Sequence, residues 1–167
     1  MLGLVAAVGV VALLLLLRTS RAAASESEQG AVDIERNTRG LRNHNPANLR
    51  YVESIQWDGQ TGADADGYAQ FTDDMHGLRA AFINLHTGFT RGADTVRKAI
   101  ARWAPASENP TQAYVTFVAR RLGVSPDQRL TFAAIALPMM RAIVAFENGR
   151  DPYPADLYTA ALTASGR

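Results

Sequence analysis

Hydrophobic residues crowd the start of the chain and are spaced with helical regularity only later. Residues 2–17, LGLVAAVGVVALLLLL, contain no charged or polar side chain. As a helix this run reaches about 24 Å against a hydrocarbon core of roughly 30 Å. Arg18 and Arg21 can snorkel, and the alanines at 22–24 lengthen the apolar contour. An uncleaved transmembrane helix over 1–24 is the first expectation and a cleaved secretory signal the second: RAAAS offers small residues for cleavage, but no basic residue precedes the run. With arginines only on its C-terminal flank, an anchor would leave the rest of the chain facing the cytoplasm. Residues 25–37, SESEQGAVDIERN, are polar and acidic without helical period and read as a flexible tether, leaving 38–167 as one domain.

Within that domain RGLRNHNPANLRY is too rich in Asn and too close to Pro46 for a helix. Residues 49–52 and 67–71 read as short strands around the turn-rich WDGQTGADADG, a small hairpin or ribbon. Leu78, Phe82, Leu85 and Phe89 fall on one helical stripe, with Thr72 as expected N-cap and Asp73 and Asp74 in the first turn. A second helix begins at Asp94, carries Val96, Ile100 and Trp103, and stops before Pro105. A third has Asn109 as cap, Pro110 at its first position and Gly123 after Leu122. The last carries Ile143, Val144 and Phe146 up to Asn148 and Gly149, and Pro138 either begins or kinks it. The remainder reads as a Pro-rich tail. The predicted fold class is α+β, mainly helical, with a short β-ribbon.

Composition adds exclusions. With 47% apolar and 20% charged residues the chain is globular in balance, and without cysteine it has no disulfide, thiolate metal site or cysteine nucleophile. A net charge of +1 gives no pull toward nucleic acid. Neither a metal nor another cofactor is expected. His44, His76 and His86 lack metal-ligand spacing, and WDGQTGADADG lacks the closing glutamate of a calcium loop.

Three glutamates follow the tether. Glu53 reads as a surface carboxylate and Glu108 as a favourable charge beside a helix N-terminus. Glu147 ends an otherwise apolar helix, IALPMMRAIVAFENG, directly after Phe146. Desolvation and the negative end of the helix both favour its protonated form, as a general acid near neutrality requires. The competing reading is a solvated carboxylate paired with Arg141 or Arg150.

Six blocks in fixed order carry a resemblance: RGLRNHNPANLRY, W-x-G-Q, YAQF with HGLRA, TVRKAIARWAPASENPTQAYV, ARRLGV and AFENG-x-x-PY. Together, over residues 39–153, they resemble a family of small phage virion-associated proteins, many known only as structural, that includes lytic enzymes of lysozyme-like fold. The resemblance implies cleavage of peptidoglycan glycan strands by a lytic transglycosylase or muramidase. A more distant likeness is to bacterial glucosaminidases, with the Glu-x-Gly element after rather than before the Asn48-Leu49 region. Glu147 matches the family's catalytic acid, and Tyr114 the tyrosine that lines such clefts. The sequence departs at Ala47, where glycine is usual, and at Phe146, where histidine is common.

A single essential glutamate suits substrate-assisted cleavage, in which the sugar's N-acetyl group replaces a second carboxyl. Transglycosylation is slightly preferred over hydrolysis. Asn48, Tyr51, Trp57, Tyr114, Asn148 and Tyr153 are the candidate substrate contacts, whereas Trp103 is assigned to packing. The implied partners are peptidoglycan, a lipid membrane through residues 2–17, and other virion proteins. The implied location is the virion membrane, and before assembly the host inner membrane. A virion structural protein without catalysis is the alternative.

Overall fold

The computed structural model describes residues 35–105 and 111–167. The expected anchor over 1–24, most of the tether, Glu108 and the Asn109–Pro110 helix start lie outside the described residues. Among the described residues no helix is long and apolar enough to cross a membrane.

The chain forms a mainly helical α+β domain. One helical turn, α1 (Arg39–Arg42), precedes an antiparallel ribbon of β1 (Gln60–Ala63) and β2 (Ala69–Phe71). Five longer helices follow: α2 (Asp74–Thr90), α3 (Val96–Trp103), α4 (Thr111–Leu122), α5 (Phe132–Asn148) and α6 (Ala155–Ser165).

Helix α5 is the core element. Ile135, Ala136, Met139, Met140, Ala142, Ile143, Val144 and Ala145 are all buried, and α1, α2, α4 and α6 pack against it. Burying a side chain the size of Ile143 or Met140 contributes roughly 1.5–3 kcal/mol. That apolar content explains why Pro138 lies inside α5 on an exposed face without ending it. Gly149 closes the helix in the left-handed region at φ 71°.

Four local readings are corrected. The cap of α2 is Asp73 rather than Thr72, its carboxylate accepting from His76 N at 3.0 Å. The cap of α3 is Thr95, one residue beyond Asp94. Residues 39–42 do form a helical turn, ended at Asn43. The tail is helical as α6: Tyr158, Ala161 and Ser165, spaced three and four apart, are its buried face, and most of its packing is along α2.

The ribbon also differs. β1 lies at Gln60–Ala63 and pairs Gln60 with Phe71 and Ala63 with Ala69. Residues 49–52 form no strand of their own and meet the chain at the start of β2 through an isolated Arg50–Tyr68 bridge. The buried Asn45 side chain replaces a strand ladder there. Its Nδ2 donates to Leu49 O and Ala69 O, and its Oδ1 accepts from Leu49 N, all at 2.9 Å.

Residues 36–48 are strapped across the helices. Arg36 donates from both terminal nitrogens to Asp74, at 3.0 and 2.6 Å, and His44 Nδ1 lies 3.1 Å from the same carboxylate. Gly77 of α2 allows the strap to come close, since a Cβ at this position would lie 1.9 Å from His44 O.

Candidate active site

Where the strap, the ribbon region and three helices meet, a cleft of about 300 Å³ opens. Trp57 and Tyr68 of the ribbon region, Asn84 of α2, and Arg102 and Trp103 at the end of α3 are among the residues that line it. Arg39, Asn48 and Glu147 complete it, and Glu147 is the only carboxyl lining the cleft among the described residues.

Both oxygens of Glu147 are engaged. Asn48 Nδ2 donates to Oε2 at 2.8 Å and Tyr114 OH to Oε1 at 2.9 Å. Burial raises the Glu147 pKa from its ordinary value and outweighs three opposing influences: the Asn48 and Tyr114 hydrogen bonds and the charge of Arg39. Neither Arg141 nor Arg150 pairs with it. Arg141 binds Asp151 at 2.7 Å, and Arg150 donates to Glu35 O.

Tyr114 is buried in α4, so it supports the carboxyl from behind rather than lining the cleft. Its ring stacks on Phe146 with centroids 3.8 Å apart and planes 14° from parallel. Burial, then the Glu147 charge, hold its phenol protonated well above the ordinary range. Phe146, at the position where histidine was noted as common, is thus part of the stack that shields the carboxyl.

Asn48 reaches Glu147 from a backbone in the left-handed region, φ 50°, which Asn tolerates better than most residues. Its Oδ1 is buried without a hydrogen-bond partner. Gly40 makes room for this turn, as a Cβ there would lie 2.9 Å from Asn148 Oδ1 and 3.1 Å from Asn48 Oδ1.

The remaining candidates separate. Trp57 lines the cleft, whereas Tyr51, Asn148 and Tyr153 do not. Tyr51 is half-buried, and its backbone N–H donates to Gly67 O in the turn before β2. Asn148 is buried and donates to Pro46 O at 2.7 Å and Val144 O at 2.9 Å, tying the end of α5 to the strap. Tyr153 is buried against Tyr158. Burial and the Asp74 charge raise its pKa far above the phenol range.

Trp103 corrects the packing assignment: it lines the cleft, and its Nε1 donates to Ala47 O at 3.2 Å. Sequence reasoning also passed over Arg39, Tyr68, Asn84 and Arg102. Arg102-Trp103 at a helix end before Pro105 was an available signal; Asn84 had none. Among the described residues no group of three His, Asp or Glu could hold a metal ion. Asp64 instead accepts from Asp66 N and Tyr68 N within its own turn and from Asn43 Nδ2 at the end of α1.

The arrangement is a partly buried carboxyl beside a groove that two indoles and two side-chain amides line. It can donate a proton to an oxygen held in the groove and take one back.

No family model matches the chain. Protein P5 of Pseudoalteromonas phage PM2 is 37% identical to it over 125 residues, covering 71% of this chain and 76% of the phage protein. At that identity and coverage, the chain belongs to the family of this phage protein.

Proposed function

We propose that the chain is a phage virion protein whose domain, of lysozyme-like fold, cleaves the glycan strands of peptidoglycan when the phage penetrates its host. The observation that carries this reading is the placement of Glu147: the one carboxyl lining a cleft of about 300 Å³ among the described residues, held on both oxygens by Asn48 and Tyr114. Protonated Glu147 gives its proton to the glycosidic oxygen as the C–O bond breaks. The positive charge left on the sugar is taken up by the substrate's own N-acetyl oxygen, Glu147 being the one carboxyl that lines the cleft among the described residues. The carboxylate then removes a proton from water, giving hydrolysis, or from the sugar's own 6-hydroxyl, giving an anhydro end.

Trp57 and Trp103 offer flat faces for sugar rings, and Asn84 a side-chain amide. Asn48 and Tyr114 hold the carboxyl in place and stabilise it once ionised. The apolar run at 2–17 would hold the domain to a lipid bilayer in the particle.

A second reading is a virion structural protein without turnover. It is favoured by the relationship to a phage protein and by the engagement of both Glu147 oxygens, which could serve packing alone. Digestion of purified peptidoglycan with the full-length protein, followed by mass spectrometry of the products, separates the two. Anhydro-muramyl or reducing ends are expected and also tell transglycosylation from hydrolysis; intact glycan leaves the structural reading.

A further inference from the structure

Backbone strain and unmet polarity collect in one segment of the domain. Among the described residues His44 and Asn48 are the two that hold a positive φ without being glycine, at 51° and 50°. In that region a Cβ crowds the backbone. Three buried side-chain polar atoms among the described residues lack a hydrogen-bond partner: Arg39 Nε, Asn48 Oδ1 and Tyr153 OH. Burying such an atom unpaired disfavours the folded arrangement. Arg39, His44 and Asn48 all belong to the strap over residues 36–48, and Tyr153 lies close enough to Arg36 for its charge to act on the phenol.

A few side chains hold the strap down. Arg36 binds Asp74 of α2 with both terminal nitrogens. Thr38 Oγ1 donates to Asn148 Oδ1 at 2.5 Å, and Asn148 Nδ2 donates to Pro46 O at 2.7 Å, so one amide grips the strap near both ends. Leu41, Asn45 and Ala47 between these points are fully buried. The docked strap is therefore the resting state, and leaving it is a local unfolding rather than a hinge movement.

The same segment completes the site. It supplies Arg39 and Asn48 to the cleft, and Ala47 O accepts from Trp103 Nε1. Undocking would remove the amide on Glu147, the guanidinium that lines the cleft with it and the acceptor of the indole in one step. In chain order the strap directly follows residues 1–35, so a force or partner acting on that segment reaches Arg36 and then Thr38 ahead of the helices.

We infer that residues 36–48 are a releasable strap that switches the site. Docked, it sets Asn48 against Glu147 and completes the cleft. Released, it leaves the cleft open and the acid without its amide while the five longer helices stay folded. Parting of Arg36 from Asp74 is the first step. The inference rests on the glycan-cleaving reading and adds how that site is turned on and off.

Amide hydrogen exchange of the full-length protein under native conditions tests the release. The N–H groups of Asn43, Asn45 and Asn48 donate to Arg39 O, Gly40 O and Asn45 O at 3.0, 2.8 and 2.9 Å, so each exchanges only when the strap opens. Relative to their intrinsic rates, they are expected to exchange at least about a hundredfold faster than the amides of Ile143 and Val144 in α5. Exchange of both sets through one common opening overturns the inference.

Asp74→Ala is expected to loosen the strap. Ala161→Gly, at a buried position of α6, is the control, because it lowers global stability without touching the strap or the cleft. The two tryptophans of the chain, Trp57 and Trp103, both line the cleft, so their emission reports its state. Asp74→Ala should shift that emission and reduce glycan release at least about tenfold, the scale of a hydrogen bond to a charged group, with far-UV circular dichroism unchanged. Ala161→Gly should do neither. Unshifted emission in Asp74→Ala, or glycan release by it at the rate of the unsubstituted protein, overturns the inference. The exchange measurement uses the unsubstituted chain and stands even if Asp74→Ala does not fold. Fast strap exchange without glycan release by the unsubstituted protein removes only the catalytic reading, and glycan release with strap and α5 amides exchanging together removes only this one.

Discussion

Asn48 Nδ2 lies 2.8 Å from Glu147 Oε2, joining a left-handed turn near the start of the domain to the end of its central helix 99 residues later. This contact makes the strap over residues 36–48 part of the site. Asn48→Gly keeps the φ of 50° accessible while removing the amide. Glycan release should fall by roughly ten- to a hundredfold, the worth of a hydrogen bond to an ionised group. Asn48 also lowers the Glu147 pKa, so its loss raises that pKa and moves the alkaline loss of activity to higher pH. A pH–rate profile whose alkaline limb stays in place would show that Asn48 does not act through Glu147.

Tyr114→Phe removes the second donor and leaves the stack on Phe146 in place. Stability should change by only about 1 kcal/mol, measured by urea unfolding. The alkaline limb should again rise, because one hydrogen bond favouring ionised Glu147 is gone. An unfolding midpoint far below that of the unsubstituted protein would instead make Tyr114 a core residue first.

How much of this could be read in the sequence follows from what sequence periodicity encodes. Leu78, Phe82 and Leu85 on one stripe are fully or nearly fully buried, and Gly149 does terminate α5, because helix faces and caps are local properties. Glu147 stood out because a carboxyl after eight mostly apolar residues conflicts with its surroundings. The partners of Glu147 were not legible as partners: Asn48 and Tyr114 meet it only through tertiary packing. Tyr153 and Asn148 were chosen for chemistry that suits sugars, but the same chemistry also suits buried hydrogen bonds and ring packing, which is where the fold uses them. Trp103 shows the reverse, a residue on an amphipathic helix whose end opens into the cleft.

Gly77→Ala tests whether the strap must lie where it does. The added methyl would fall 1.9 Å from His44 O, so the backbone carrying Asn48 has to move. Destabilisation of about 1–3 kcal/mol is expected, the usual cost of overpacking, with loss of glycan release although residue 77 does not line the cleft. Thermal unfolding together with an activity assay checks both; an active, equally stable variant would show that the close approach is unimportant.

Asp74→Ala should cost about 1–3 kcal/mol, because it leaves the partly buried Arg36 guanidinium and His44 without their shared acceptor. Chemical denaturation measures the loss. Arg36→Ala in the same background should then add little, since the two residues act as a pair.

Glu147 also links stability to pH. Its folded-state pKa is raised, so folding disfavours its ionised form. That penalty is fully present above the folded pKa and disappears as pH falls toward and below the ordinary value of about 4.3. Relative to Glu147→Gln, the unsubstituted protein should therefore gain in melting temperature on acidification through this window. A constant difference between the two from neutral to acid pH would contradict a raised pKa.

The most direct test of Glu147 as the proton donor is the rate of soluble fragment release from peptidoglycan by the unsubstituted and Glu147→Gln proteins at the same concentration. A fall of about 10²–10⁴-fold, with circular dichroism unchanged, is the expected result for removal of a general acid. Release at equal rates by both proteins would contradict it.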